Sequence, residues 1–176
     1  MIQLYSLMWI LGVFFGLLGF IRGWNREIIA LAGILLGMFA LFQFDALIRG
    51  TLLLPFPRSQ AFLIQLGIFL LIVFFSYQNR SFVPDLSENK PNTQESILGS
   101  IVGFINGYII GGTIWYFMDI NEYPFSPYIL APPVGSPSAD RIGSIPLVIL
   151  SGGVGGSGDF LLIVVIVLFL LVVVVL

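Results

Sequence analysis

Two amide side chains stand alone in otherwise apolar stretches: Gln65 within residues 61–77 and Asn106 within residues 97–118. An amide inside a bilayer makes hydrogen bonds to neighbouring helices worth about 0.6–2 kcal/mol, and it can also contact an ion or a polar ligand. For both residues the uncharged side chain favours helix-to-helix bonding. The other concentration of polar chemistry is RGWNRE at residues 22–27, which gathers Arg22, Gly23, Trp24, Arg26 and Glu27. Guanidinium groups bind lipid phosphates and an indole bridges wet and dry layers. Arg22, Arg26 and Trp24 are therefore expected at the headgroup level as lipid anchors, with a specific ligand site as the alternative. Glu27 falls in a first helical turn, where the helix dipole favours an anion, and Asn25 is expected to cap that helix. Asp45 and Arg49, four residues apart, are expected to pair at a helix exit, an exposed interaction worth under ~1 kcal/mol.

The chain contains no histidine and no cysteine. That removes disulfides, thiol nucleophiles, imidazole acid–base catalysis, Cys/His zinc sites and histidine-ligated haem. No convergent pair of carboxylates falls within the apolar stretches. The GGVGGSG run at 152–158 lacks the basic residue of a phosphate-binding loop and reads as a hinge. The expectation is a protein that is not an enzyme and needs no cofactor or metal. Seven basic residues scattered singly, with a net charge of −2, leave no nucleic-acid footprint.

The elements that carry these residues are set by hydrophobicity. With 58% hydrophobic residues, 9% charged residues and a mean hydropathy of +1.05, the chain cannot cover a soluble globule with polar surface, and it belongs in a bilayer. The predicted class is an all-α integral membrane protein. A four-helix domain over residues 1–119 has spans at about 4–21, 28–44, 61–77 and 97–118. A Pro/Gly-rich connection follows over 120–159, and then a fifth, C-terminal transmembrane helix over 160–176. The first apolar run opens MIQLY without a basic segment and closes GFIRG without a cleavage site, so it is expected to be an anchor rather than a signal peptide.

Glycine spacing predicts how the spans meet. Gly99, Gly103, Gly107 and Gly111 recur every fourth residue, leaving a bare groove along one helix face into which another backbone can fit. Gly12, Gly16 and Gly19 give the first span a matching face, and Gly33 and Gly37 give one to the second. LLLPFPR at 52–58 breaks the second helix. The polar stretch 78–96 is a loop, and Asn92 with Glu95 resembles a capping box. Trp115 and Tyr116 are expected to form an aromatic belt. The apolar pieces YIL and IPLVIL between 120 and 159 are too short to span; they could lie in the interface, enter the membrane partway or dock on a partner. The last helix, apolar all round, is expected to face lipid or a partner. Basic residues favour an outside N-terminus and an inside C-terminus.

GFIRGWNREIIALAG at 19–33 and ESILGSIVGFINGYIIGGTIWYFMD at 95–119 together resemble the colicin V production protein family, over roughly residues 1–119. The resemblance rests on an RGxxRE-type turn between the first two spans and on the spaced glycines of the fourth. It implies a multi-pass protein of the bacterial inner membrane with four core helices, linked to peptide-toxin export and envelope upkeep, and with no established enzymatic activity. Its marked positions fall on Arg22, Gly23, Arg26, Glu27, Gly99, Gly103 and Gly107. Where many members carry a basic residue before the third of these glycines, this chain has Asn106. The leading expectation is a non-catalytic membrane protein supporting secretion or envelope function, with membrane lipid and other membrane subunits as partners. The alternatives are an accessory subunit of a larger respiratory or photosynthetic complex, suggested by the long connection and the featureless last helix, and a small channel or transporter, suggested by Gln65 and Asn106.

Overall fold

The computed structural model describes residues 4–78, 91–153 and 155–175. The α-helices in chain order are α1 (Leu4–Arg22), α2 (Trp24–Gln43), α3 (Asp45–Leu47), α4 (Arg58–Gln78), α5 (Thr93–Ile120), α6 (Pro146–Leu150) and α7 (Asp159–Val175). A π-helical turn, Ile48–Leu52, follows α3, and a 3-10 turn, Ala139–Ser144, precedes α6. No strand occurs among the described residues. Helices α1, α2, α4 and α5 have 19, 20, 21 and 28 residues and are long and apolar enough to cross a membrane.

Helix starts lie earlier than hydropathy places them: α2 begins at Trp24, α4 at Arg58 and α5 at Thr93. The polar first turns belong to the helices because local chemistry starts them there. Gly23 adopts φ +80°, ψ 161° and joins α1 to α2 as a single residue, a conformation that glycine enters without steric cost. Asn25 consequently sits inside the first turn of α2 and does not cap it. Helix α5 opens on a complete capping box, with Glu95 N donating to Asn92 Oδ1 at 2.9 Å and Asn92 N to Glu95 Oε2 at 3.1 Å. Of the predicted loop at 78–96, residues 79–90 lie outside the described residues.

Helices α1 and α5 run antiparallel with their backbones touching. Gly99 faces Gly19 and Gly23, Gly103 faces Phe15 and Gly19, Gly107 faces Leu11, and Gly111 faces Met8. Each step of one turn along α5 is matched by one turn back along α1. A Cβ at Gly107 would lie 2.7 Å from the Leu11 carbonyl carbon and 2.8 Å from Phe15 Cβ, so no side chain fits there. On the other side of the bundle, Gly33 and Gly37 of α2 receive Ser76 and Ile72 of α4. The core between these pairs contains Met8, Ile34, Met38, Phe69, Ile109 and Phe117.

Three expectations are corrected. Trp115 is 1% exposed and forms no belt, because positive φ at Glu122 and Tyr123 turns the chain back so that Trp115 Nε1 donates to Tyr123 Oη at 3.1 Å. The IPLVIL piece docks on this chain's own α5: Pro146, Leu147 and Val148 are buried, with Pro146 seated over Gly112. Helix α7 has a packed side: Leu161 is fully buried, with Val164, Val165 and Leu168 turned toward the core, where α7 lies on α2.

Candidate functional site

At the end of the bundle where α1 meets α2, three helices place polar side chains around one carboxylate carried by a fourth. Glu27 is 0% exposed. It continues the buried face that Ala30, Ile34, Met38 and Leu41 form along α2, so the period that buries those residues also buries the carboxylate. Arg22, the last residue of α1, donates from Nη1 to Glu27 Oε1 at 3.1 Å and from Nη2 to the Tyr77 carbonyl at 2.9 Å. Its guanidinium also stacks 4.5 Å from the centre of the Tyr77 ring. Tyr77 of α4 donates its hydroxyl to Glu27 Oε2 at 2.9 Å. Asn106 of α5 donates from Nδ2 to the same Oε2 at 2.9 Å and to the Glu27 backbone carbonyl at 3.1 Å. Both carboxylate oxygens are therefore served, one by a cation, as a buried charge requires. One acceptor is left over: Asn106 Oδ1 is buried without a hydrogen-bond partner.

Sequence reasoning separates residues that the fold joins. Arg22 does not reach out to headgroups; its side chain is 21% exposed and turned inward to Glu27. Glu27 lies in the first turn of α2, as expected, and is in addition a buried hub. Arg26 is exposed and Trp24 half-buried on the outside of the same turn. Tyr77 was missed because a tyrosine at the end of a span reads as an interfacial residue. The periodic buried face running through Glu27 was the available signal.

A second polar cluster lies at the opposite end of the bundle. Asp45 and Arg49 pair as expected, with Nε to Oδ1 at 2.7 Å and Nη2 to Oδ2 at 2.6 Å, but the pair is part-buried rather than exposed. Arg49 Nη1 also donates to the Ile120 carbonyl at 3.1 Å, closing the C-terminus of α5. The hydrogen bond to Asp45, against the opposing effect of burial, holds the Arg49 pKa above its ordinary value. Gln65 Oε1 accepts from Asn121 Nδ2 at 2.8 Å, and Gln65 Nε2 points to Asp45 Oδ1 at 3.4 Å. Arg58 pairs with Glu122 on the rim of this end. Burial pushes the Tyr123 phenol up to about 12, with the Asp119 charge and hydrogen bond adding to the shift and the Trp115 hydrogen bond opposing it.

Between the two clusters the interior is occupied by Ile34, Met38, Phe69 and Ile109. Thr113 is also buried there, its hydroxyl bonded within α5 to the Ile109 carbonyl at 2.8 Å. The arrangement ties α1, α2, α4 and α5 together through Glu27 at one end, and the α4–α5 pair with the α3 turn at the other. Among the described residues, no group of three or more His, Cys, Asp or Glu is placed to hold a metal ion.

The family model for Colicin V production protein matches residues 6–132. Neither a curated protein nor a solved structure matches the chain. The match takes in α1 from residue 6 onward, α2 to α5, both polar clusters and the Trp115–Tyr123 turn-back, and so runs past residue 119, where the motif resemblance stops; α6 and α7 lie beyond it. On that match, covering the greater part of its length, the chain belongs to the colicin V production protein family.

Proposed function

We propose that this protein is a non-catalytic scaffold of the bacterial inner membrane that supports secretion, including production of a peptide toxin, and envelope function. The observation that carries the reading is the Glu27 centre within the family-matched segment. Its one buried carboxylate has both oxygens engaged by side chains from three neighbouring helices, so the charge is committed to holding α1, α2, α4 and α5 together rather than to a substrate. In this reading α7 is a fifth span, since its 17 residues reach about 25 Å at ~1.5 Å each. Membrane lipid covers outward side chains such as Phe14, Leu17, Leu71 and Phe74, which are exposed on α1 and α4. Other membrane subunits dock on what remains of the outer surface. The accessory-subunit reading loses part of its motive, because IPLVIL packs internally.

The test is genetic. The gene is deleted from its host, a colicin V-type toxin with its exporter is supplied, and secreted and retained toxin are measured. The expected result is a fall in the secreted fraction, restored by the wild-type gene. Secretion equal to that of the parent strain would overturn the proposal.

A further inference from the structure

On the outer side of α1 and α5 an aromatic floor carries a cation at its edge. Arg141, in the 3-10 turn before α6, is exposed, and its guanidinium lies 5.4 Å from the ring centre of Tyr5, the second residue of α1. Aromatic contacts continue from there along both helices. Tyr5 meets Trp9 at 6.1 Å between ring centres, and Trp9 meets Tyr108 at 5.6 Å and Phe104 at 5.7 Å. Phe104 and Tyr108 stack on one another at 6.3 Å. The turn that carries Arg141 leads directly into α6, whose Pro146 is seated over Gly112 of α5.

The polar atoms of this floor are donors without acceptors among the described residues. Arg141 bonds through its backbone alone, to Ser138 and Ser144. The ion pairs take Arg22, Arg49 and Arg58, and the neighbouring Asp140 forms none with Arg141. The Tyr5 and Tyr108 hydroxyls also have no partner in the protein. The buried side-chain atoms left without one are Asn106 Oδ1 and Ser138 Oγ, so both phenols open outward. Trp9 is 45% exposed, and its indole N–H is likewise unused.

We propose that this patch binds one glycerophospholipid by its phosphate. The 19 residues of α1 reach about 28 Å at ~1.5 Å each, close to the ~30 Å of a hydrocarbon core. The start of α1 therefore lies at the edge of the core, at the depth of lipid phosphates, and Trp9 lies one turn deeper, at the depth of the glycerol esters. A phosphodiester and two esters are acceptors throughout, the complement of a patch that offers donors. The phosphate takes the guanidinium fork of Arg141, whose free face the Tyr5 ring supports. An ester carbonyl accepts from Trp9 Nε1, and the phenols serve the remaining oxygens. The acyl chains follow Val13 and Ile101, which are exposed further along the same two helices. Arg141 lies outside the family-matched residues 6–132, so the cation of the site comes from the part of the chain beyond that match. The site asks only that α1 and α5 cross a bilayer and is independent of the secretion role.

The test is native mass spectrometry of the full chain in a non-ionic detergent, titrated with phosphatidylglycerol. One lipid should bind ahead of any others, and Arg141→Ala should weaken that first binding about tenfold. Tyr128→Ala, which removes an exposed aromatic ring outside the patch, should bind as the wild type does. Diacylglycerol, with the chains but no phosphate, should bind wild type and Arg141→Ala alike, and glycerol 3-phosphate, with the phosphate but no chains, should not displace the lipid. Equal phosphatidylglycerol affinity for wild type and Arg141→Ala, the same loss in Tyr128→Ala, a diacylglycerol affinity that falls as far, or displacement by glycerol 3-phosphate would each overturn the proposal. Should Arg141→Ala lose its helical circular dichroism, Trp9→Phe decides alone: it keeps a ring, removes the indole N–H and should cost about threefold, and no loss would overturn the proposal.

Discussion

Replacing Gly107 by alanine tests the backbone contact on which the bundle is built. The added Cβ would sit 2.7 Å from the Leu11 carbonyl carbon and 2.8 Å from Phe15 Cβ, and closer still to the Leu11 carbonyl oxygen. Two of the three obstructing atoms are backbone, so no rotamer change relieves the clash and α1 must move away from α5. Ordinary carbon–carbon contact needs about 3.5–4.0 Å, and opening a gap of 0.5–1 Å forfeits roughly a quarter to a half of each contact along the interface. Overpacking of this kind costs about 1–3 kcal/mol. Alanine also gains up to ~1 kcal/mol of helix propensity over glycine, so the proper control is Gly67→Ala. Gly67 lies on α4 with nothing within 4 Å of a Cβ, and it makes the same propensity gain without a clash. In reversible unfolding by a denaturing detergent, followed by tryptophan fluorescence and circular dichroism, Gly107→Ala should be less stable than Gly67→Ala by about 1–3 kcal/mol. Coincident midpoints for the two variants would refute the reasoning.

Removing the carboxylate by Glu27→Leu leaves Arg22 without its counter-ion and strands the Tyr77 and Asn106 donors. Unfolding free energy should fall by about 3–5 kcal/mol, and Glu27→Gln, which keeps the shape and one of the two acceptor oxygens, should lose less in the same assay. At the other end, Asn121→Ala deprives Gln65 Oε1 of its 2.8 Å donor and should cost about 1–3 kcal/mol, whereas changing exposed Tyr128 to Ala should leave the unfolding midpoint where it is. Tyr123, with a folded pKa raised from 10.0 to about 12, stabilises the fold fully below pH ~10 and loses that contribution as pH rises through about 12. Tyrosinate absorbance should therefore show a late-titrating phase whose amplitude Tyr123→Phe lowers by one tyrosine.

The helices and the α1–α5 contact were legible because hydropathy and glycine spacing both act along one helix and report on its own faces. The Asn92–Glu95 capping box and the Asp45–Arg49 pair were legible for the same reason, since each is local. What escaped depends on which helices meet. Arg22 reads as a headgroup anchor until α4 brings the Tyr77 carbonyl within 2.9 Å. Trp115 reads as a belt residue until the chain reverses at Glu122 and Tyr123. Glu27 was half legible: its place on the Ala30, Ile34, Met38, Leu41 face marks it as buried, but a carboxylate there makes sense only once Arg22, Tyr77 and Asn106 are seen around it. The short IPLVIL helix was ambiguous because its docking site, Gly112, lies more than thirty residues away in sequence.

Cysteine cross-linking in intact membranes tests the antiparallel α1–α5 contact most directly, and the chain has no native cysteine to interfere. A Cβ at Gly16 would lie 3.4 Å from Phe104 Cβ, close to the ~3.5–4.5 Å that a disulfide requires. Leu17, one residue on, is 64% exposed. Under mild oxidation Gly16→Cys with Phe104→Cys should form an intramolecular disulfide rapidly, while Leu17→Cys with Phe104→Cys should not. Efficient closure of the Leu17 pair with none of the Gly16 pair would contradict the packing described for this bundle.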